Sequence, residues 1–232
     1  MASNFVDKQT VKFVLEVSSP GTFASTSDVD IVNDLVKVSN HGLKTGNPIH
    51  VTTSSALPTG LSADTAYYAV VTSSNNFGFA TSVANALAGT KVDLTAVGTG
   101  TQTVYKNGMG TITLGILPDN FIITNAYYDV ITTFVTAGSD AGTIALEAES
   151  AGDLKAAIAV SDATNVWDAG LHGCLPGNFA LDGNALTAIA MAAARSGAFV
   201  KTDGNETITA AIATKGASAG KLNLYIEGFV SE

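Results

Sequence analysis

Charged residues are scarce in this chain, making up 13% of its 232 positions. The 11 Lys and Arg are outnumbered by 20 Asp and Glu, which gives a net charge of −9, and the basic residues are scattered. With no basic cluster to follow a phosphate backbone, the charge pattern disfavours nucleic-acid binding, and no nucleic-acid partner is expected. An acidic surface instead favours solubility and discourages sticking to DNA. Cysteine is almost missing: Cys174 stands alone, so no intrachain disulfide can form, which fits folding in a reducing cytoplasm. Long apolar runs are missing too. Residues 185–194, the longest such run, are too few to span a bilayer. The N-terminal residues lack the basic and apolar regions of a signal peptide, so nothing in the sequence directs the chain to a membrane.

What is abundant is glycine, at 23 residues, and small or β-branched side chains within a 46% hydrophobic fraction. Disordered chains have the opposite balance, rich in charge and poor in apolar residues. The length allows one or two domains with a real core. This composition suits extended sheets with tight turns, or surface hidden in an assembly.

Residues 10–18 alternate, with Phe13, Leu15 and Val17 on one face, and predict a strand ended by Ser19-Pro20-Gly21. Residues 28–104 break into short β runs between strong turn signals, among them Asn40-His41-Gly42 and Gly46-Asn47-Pro48. Residues 83–88 predict one or two helical turns. Asn107-Gly108-Met109-Gly110 reads as the hinge into a second unit, with strands predicted at 111–117, 121–134, 143–148, 206–213 and 221–230. In the last of these Leu222, Leu224 and Ile226 share a face. Asp153 heads a predicted capped helix over 153–159. Residues 166–173 predict a loop and 217–220 a turn, and the alanine-rich 185–194 predicts a strand or irregular chain despite its helical propensity.

The order His41-Gly42-Leu43-x-Thr45-Gly46-x-Pro48, Leu57-Pro58-Thr59-Gly60-Leu61, Tyr67-Tyr68 and Ala84-x-Ala86-Leu87-Ala88-Gly89-Thr90 resembles a β module that recurs in tailed-bacteriophage virion proteins. The resemblance covers roughly a third of the chain and lies in the order of the motifs. In the second unit, Tyr127-Tyr128-Asp129-Val130, Asp140-Ala141-Gly142-Thr143-Ile144 and the terminal Gly220-Lys221-Leu222-Asn223-Leu224 resemble a phage β-sandwich unit. The fold so implied is all-β, a jelly-roll or Ig-like β-sandwich with a small β module inserted between its first and second strands. The implied division is 1–20 for an N-terminal arm and first strand, 21–106 for the inserted module and 107–232 for the main sandwich. Surface loops tolerate such insertions.

Candidate chemistry is sparse. His41 and His50 would give a metal two ligands and no suitably spaced third; the plainer reading makes His41 a turn residue and His50 a sheet-surface residue. Cys174 follows His172-Gly173, yet adjacency supplies neither a base across the fold nor a lowered thiol pKa, so a buried structural cysteine fits better. Glu147 and Glu149, like Asp28 and Asp30, have the spacing of a solvated strand face more than that of a paired-carboxylate catalyst. Gly98-Thr99-Gly100-Thr101 lacks the lysine and helix of a phosphate loop. No catalytic residue, metal ligand or cofactor is therefore assigned. Tyr67-Tyr68 and Tyr127-Tyr128 occupy adjacent strand positions that face opposite sides, leaving one of each pair to stack on a sugar or anchor a protein. Together with Phe5 and Val6 of the N-terminal arm, these tyrosines are the candidate protein-contact residues.

The resemblance implies a virion structural protein and no enzyme. The expected role is a capsid decoration or cement protein, a homotrimer on the capsid surface that bridges capsomers. Its partners would be the major capsid protein and its own copies, and it would be made in the host bacterial cytoplasm. The alternative is a tail-associated or fibre protein binding host-surface carbohydrate. Fibres usually carry coiled-coil heptads or repeated β stretches, and this sequence shows neither.

Overall fold

The computed structural model describes residues 7–148, 154–174, 200–202 and 204–231. The chain opens with β1 (Gln9–Glu16), which pairs antiparallel with β16 (Ala217–Val230). On its other side β16 pairs with the long β10 (Phe121–Thr136). Leu222 and Leu224 of β16 thus lie opposite Leu15 and Phe13 on one side and Val130 and Tyr128 on the other. All of these side chains are buried. Burying each one stabilises the fold by about 1.5–3 kcal/mol. β13 (Gly170–Cys174) and the short β14 (Val200–Lys201) pair with the far edge of β10.

A second antiparallel sheet has the order β12 (Lys155–Ala159), β11 (Thr143–Glu147), β15 (Glu206–Ala213), β9 (Gly110–Leu117). The two sheets share one core, to which the first gives Phe13, Tyr128 and Phe134 and the second Ile112, Ile144 and Ile208. The architecture is a β-sandwich. The loop after β12 contributes Trp167, fully buried and stacked on Tyr128 at 5.4 Å. Its indole N–H donates to the Ile158 carbonyl at 3.1 Å, and the Tyr128 hydroxyl donates to the Val166 carbonyl at 3.0 Å. Both large aromatics therefore bury their rings with their polar ends satisfied.

Between β1 and β9 the chain builds a third sheet, of order β2 (Ser18–Ala24), β8 (Thr101–Lys106), β5 (Pro48–Thr53), β6 (Tyr67–Val71), β7 (Asn76–Ala80), β4 (Leu35–Lys37), β3 (Val29–Asp30). This sheet has its own core, built on Phe23, Val36, Ile49, Phe77, Phe79 and Val104. β5 and β6 share only the pairs Pro48–Tyr68 and Ile49–Tyr67. Leu43, Leu61 and Leu94 from the connecting loops complete the core. A single helix of this sheet's connections, α1 (Val83–Leu87), starts at Ser82, whose side chain accepts the Asn85 N–H at 3.1 Å.

Several local expectations give way to strand pairing. Ser19-Pro20-Gly21 does not end a strand but opens β2. Pro20 lies in the register shift between Ser18 and Gly21, where no ladder N–H is required of it. Residues 155–159 form β12 and not a helix, with Ile158 opposite Ile144; a strand partner outweighs the weak helical preference of alanine. Asp153, the expected cap, lies outside the described residues, as do Glu149 and the run 185–194. The loop predicted over 166–173 becomes β13 from Gly170 onwards, because the edge of β10 is available to pair. The turn before the last strand lies near Thr214, which takes a φ of 68°, and residues 217–220 are already strand.

Gly220 shows why one of those strand positions must be glycine. Its φ is +139°, and a Cβ there would lie 2.1 Å from the Phe134 ring. Strain and overpacking act together at this point, so Gly220→Ala should lower stability by about 2–4 kcal/mol. Urea denaturation of the two proteins would measure the difference.

Candidate functional site

Two places gather the side chains that composition and motif single out. One is the seam where the seven-stranded sheet meets the sandwich, and the other is the outer face of the sheet that holds β10 and β16.

The seam forms because the chain enters and leaves the seven-stranded sheet side by side. Ser18 pairs with Lys106, and Asn107 donates its backbone N–H to the Pro48 carbonyl at 2.9 Å and its side-chain N–H to the Glu16 carbonyl at 3.1 Å. Into this seam β5 sends His50, which is 1% exposed and so is not the surface residue its position in an alternating strand suggested. Its ring stacks on Tyr105 at 5.1 Å and 19°. Gly108 and Gly216 close on the ring from the sandwich: a Cβ on either would lie 2.5 Å from an imidazole atom. Neither ring nitrogen has a hydrogen-bond partner among the described residues. Burial drives the imidazole pKa down from 6.5 to about 4, opposed by the nearby Asp64 carboxylate. The ring is a neutral plug.

Asp64 fastens the same seam. It accepts from the Lys215 ammonium at 2.7 Å and from the Gly216 N–H at 3.1 Å. Burial raises its pKa, but the Lys215 ammonium and the Gly216 N–H outweigh burial and hold the carboxyl below its usual range. The backbone adds a bond from the Ala217 N–H to the Gly108 carbonyl at 2.7 Å.

The other candidates separate. His41 is buried; its Nδ1 accepts the Leu43 N–H at 3.0 Å, which leaves Nε2 to donate to the Ser73 carbonyl at 3.0 Å. Both nitrogens are thus spent on holding a turn. His172 stacks on Tyr128 at 5.2 Å and its Nε2 bonds the Asp168 carbonyl at 2.8 Å. Cys174 is buried, and burial pushes its thiol up to about 12, so it carries no thiolate at neutral pH. Asp30 accepts from the side chain and backbone N–H of Asn33 and from the Val32 N–H, contacts that hold its pKa down and brace the β3–β4 turn. Asp28 accepts the Ala24 N–H at 2.9 Å, and Glu147 accepts the Thr209 hydroxyl at 3.2 Å. Gly98 and Gly100 take φ of +75° and +78° in a turn bridged by Ala56 and Thr99. Among the described residues no group of three or more His, Cys, Asp and Glu is placed to hold a metal ion.

The tyrosine pairs alternate. Tyr67 and Tyr128 are the inward members, 4% and 0% exposed, and burial removes them from any contact with a partner. Tyr68 and Tyr127 are half-buried and reach the surface. Tyr127 stacks on Tyr225 of β16 at 5.1 Å, on the outer face of the sheet. Phe5 and Val6 lie outside the described residues. Sequence reasoning did not single out Tyr225, Leu171 or Val32, although Leu171 is 71% and Val32 86% exposed. Alternation along β16 does place Tyr225 opposite its buried neighbours, but only the strand order brings it beside Tyr127.

No family model and no curated protein matches the chain. Among solved structures, the chain is similar to a chain of the capsid of Ralstonia phage GP4. The similarity covers 54% of this chain and 76% of that one, at 16% identity and a TM-score of 0.35, below the level of a shared fold.

The seam makes a pH prediction. Above pH 6.5 the imidazole is neutral in both the folded and the unfolded chain. Below it the unfolded chain takes up a proton that folded His50 refuses until about pH 4. Stability should therefore fall across that window, by on the order of 3 kcal/mol from this residue. Urea unfolding of the protein and of His50→Leu between pH 4 and 8 isolates the effect: the variant should lose this part of the slope.

Proposed function

We propose that this chain is a structural protein of a tailed-bacteriophage virion, acting as a capsid decoration protein on the head. One observation carries the reading. The motif series that resembles the virion β module does not lie scattered over the fold but builds one seven-stranded sheet and its turns. Gly42 and Gly46, at φ of +62° and +89°, form the turns before β5, and His41 pins the first of them. Leu43 and Leu61 fill the core, and the Tyr67 hydroxyl accepts the Ser62 N–H at 2.9 Å. These motif residues have structural tasks, as expected of a transplanted building block.

The role is mechanical. A decoration protein of this kind seats where capsomers meet, contacts the major capsid protein and other copies of itself as a homotrimer, and adds interface without chemistry. The summed contacts oppose rupture of the shell by packaged DNA. Two β units fastened by a packed seam suit that load, because force applied to one reaches the other through buried contacts and not through a free linker.

Immunogold microscopy of the source virion with antibody against this chain tests the location. Gold spread over the head is the expected result, and gold confined to the tail would overturn it in favour of a host-binding role. Purified protein should also sediment with expanded shells that lack it. Failure to bind them would overturn the decoration reading even if the protein is present in virions.

A further inference from the structure

The outer face of the β1–β16–β10–β13 sheet carries a row of directly opposed residues: Lys12, Tyr225, Tyr127 and Gly173. Three of the four interact as a ladder. The Lys12 ammonium lies 5.8 Å from the centroid of the Tyr225 ring, and that ring stacks on Tyr127 at 5.1 Å and 18°. The fourth position is open. Among the described residues a Cβ built on Gly173 would meet nothing within 4 Å, so the Tyr127 face turned towards β13 has no cross-strand side chain over it. Directly opposed residues of a sheet normally bring side chains together, and here the last rung is missing.

The surroundings of the gap define what fits it. Asp129, two residues along the same face, has no hydrogen bond or ion pair among the described residues, and it lies opposite Leu171 of β13. Leu171 is 71% exposed. An aromatic face attracts a cation, as the Lys12 end of the ladder already does. A carboxylate two residues along the same face selects a cation with donors, an exposed leucine covers an aliphatic stem, and the net charge of −9 favours a basic partner. A guanidinium satisfies all of these at once, because it is planar, stacks on rings and pairs with carboxylates through a fork of N–H groups.

We propose that the gap between Tyr127 and Gly173 is a docking slot for an arginine side chain of a partner protein, stacked on Tyr127 and paired with Asp129. The inference stands apart from the virion reading and does not depend on where the protein resides.

The probe is N-acetyl-arginine amide, titrated into the full chain carrying ring-labelled tyrosine and followed by NMR. Saturable shifts of the Tyr127 ring signals are expected, with little response to the neutral N-acetyl-citrulline amide. Asp129→Asn should weaken binding by about fivefold, the size of one partly exposed ion pair. Gly173→Leu should weaken it by about tenfold or more by filling the slot, and since a Cβ there meets nothing within 4 Å among the described residues the variant should fold normally. Tyr127→Leu should abolish the accompanying shifts of the stacked Tyr225 ring signals. Equal shifts with citrulline, a response to methyl glucoside alone, or unchanged binding by Gly173→Leu would each overturn the proposal. The chain has one arginine of its own, Arg195, outside the described residues. Binding that appears only in Arg195→Gln would mean that this arginine fills the slot, which would overturn the partner role.

Discussion

The packing of one neutral imidazole holds the two halves of this molecule in register. His50 comes from β5 of the seven-stranded sheet, but the surfaces that close on it, Gly108 and Gly216, precede β9 and β16 of the sandwich. Both positions need glycine, because any side chain there would occupy the space of the ring. The arrangement leaves the imidazole nitrogens without a hydrogen-bond partner among the described residues, a cost of about 1–3 kcal/mol that ring stacking and burial have to offset. It also forces the ring to stay uncharged, since an imidazolium in that place would be desolvated with only Asp64 to oppose it.

Around this plug the weaker contacts make sense as fasteners. The Asp64–Lys215 ion pair is partly exposed and contributes at most about 1 kcal/mol by itself. Its value is positional, since the carboxylate also takes the N–H of Gly216 and so fixes the backbone that covers His50. The same seam contains the entry and exit of the chain, paired as Ser18 and Lys106. A unit attached through neighbouring strands and a buried contact behaves less like a bead on a string and more like an extension of the sandwich. That is the property the proposed mechanical role would use.

The sandwich divides its labour by face. Inward positions of β10 and β16 hold Tyr128, Leu224 and Ile226 against the second sheet, and outward positions hold Tyr127, Tyr225, Asn223 and Asp129. Strand alternation alone enforces this separation. One face is therefore settled by the core, and the other is free to present a ladder of side chains whose order is set by register.

Much of this was legible in the residues. Alternation marked β1, β9, β10, β15 and β16; glycine, asparagine and proline marked the turns of the seven-stranded sheet; and the adjacent tyrosines announced one inward and one outward member each. These features are local, and steric limits on the backbone and the period of a strand decide them within a few residues. The errors fell where a distant partner decides. Residues 155–159 and 170–173 became strands because β11 and β10 had edges to fill. His50 left the surface because the sandwich closed over it, and no periodicity in β5 could foretell which sheet would lie there. The row Lys12, Tyr225, Tyr127 and Gly173 joins residues up to 213 positions apart, from Lys12 to Tyr225. The sequence by itself determined an acidic, disulfide-free, all-β chain with its turns in place; tertiary structure decided what those strands face, because burial and cross-strand contact are properties of neighbours that only folding brings together.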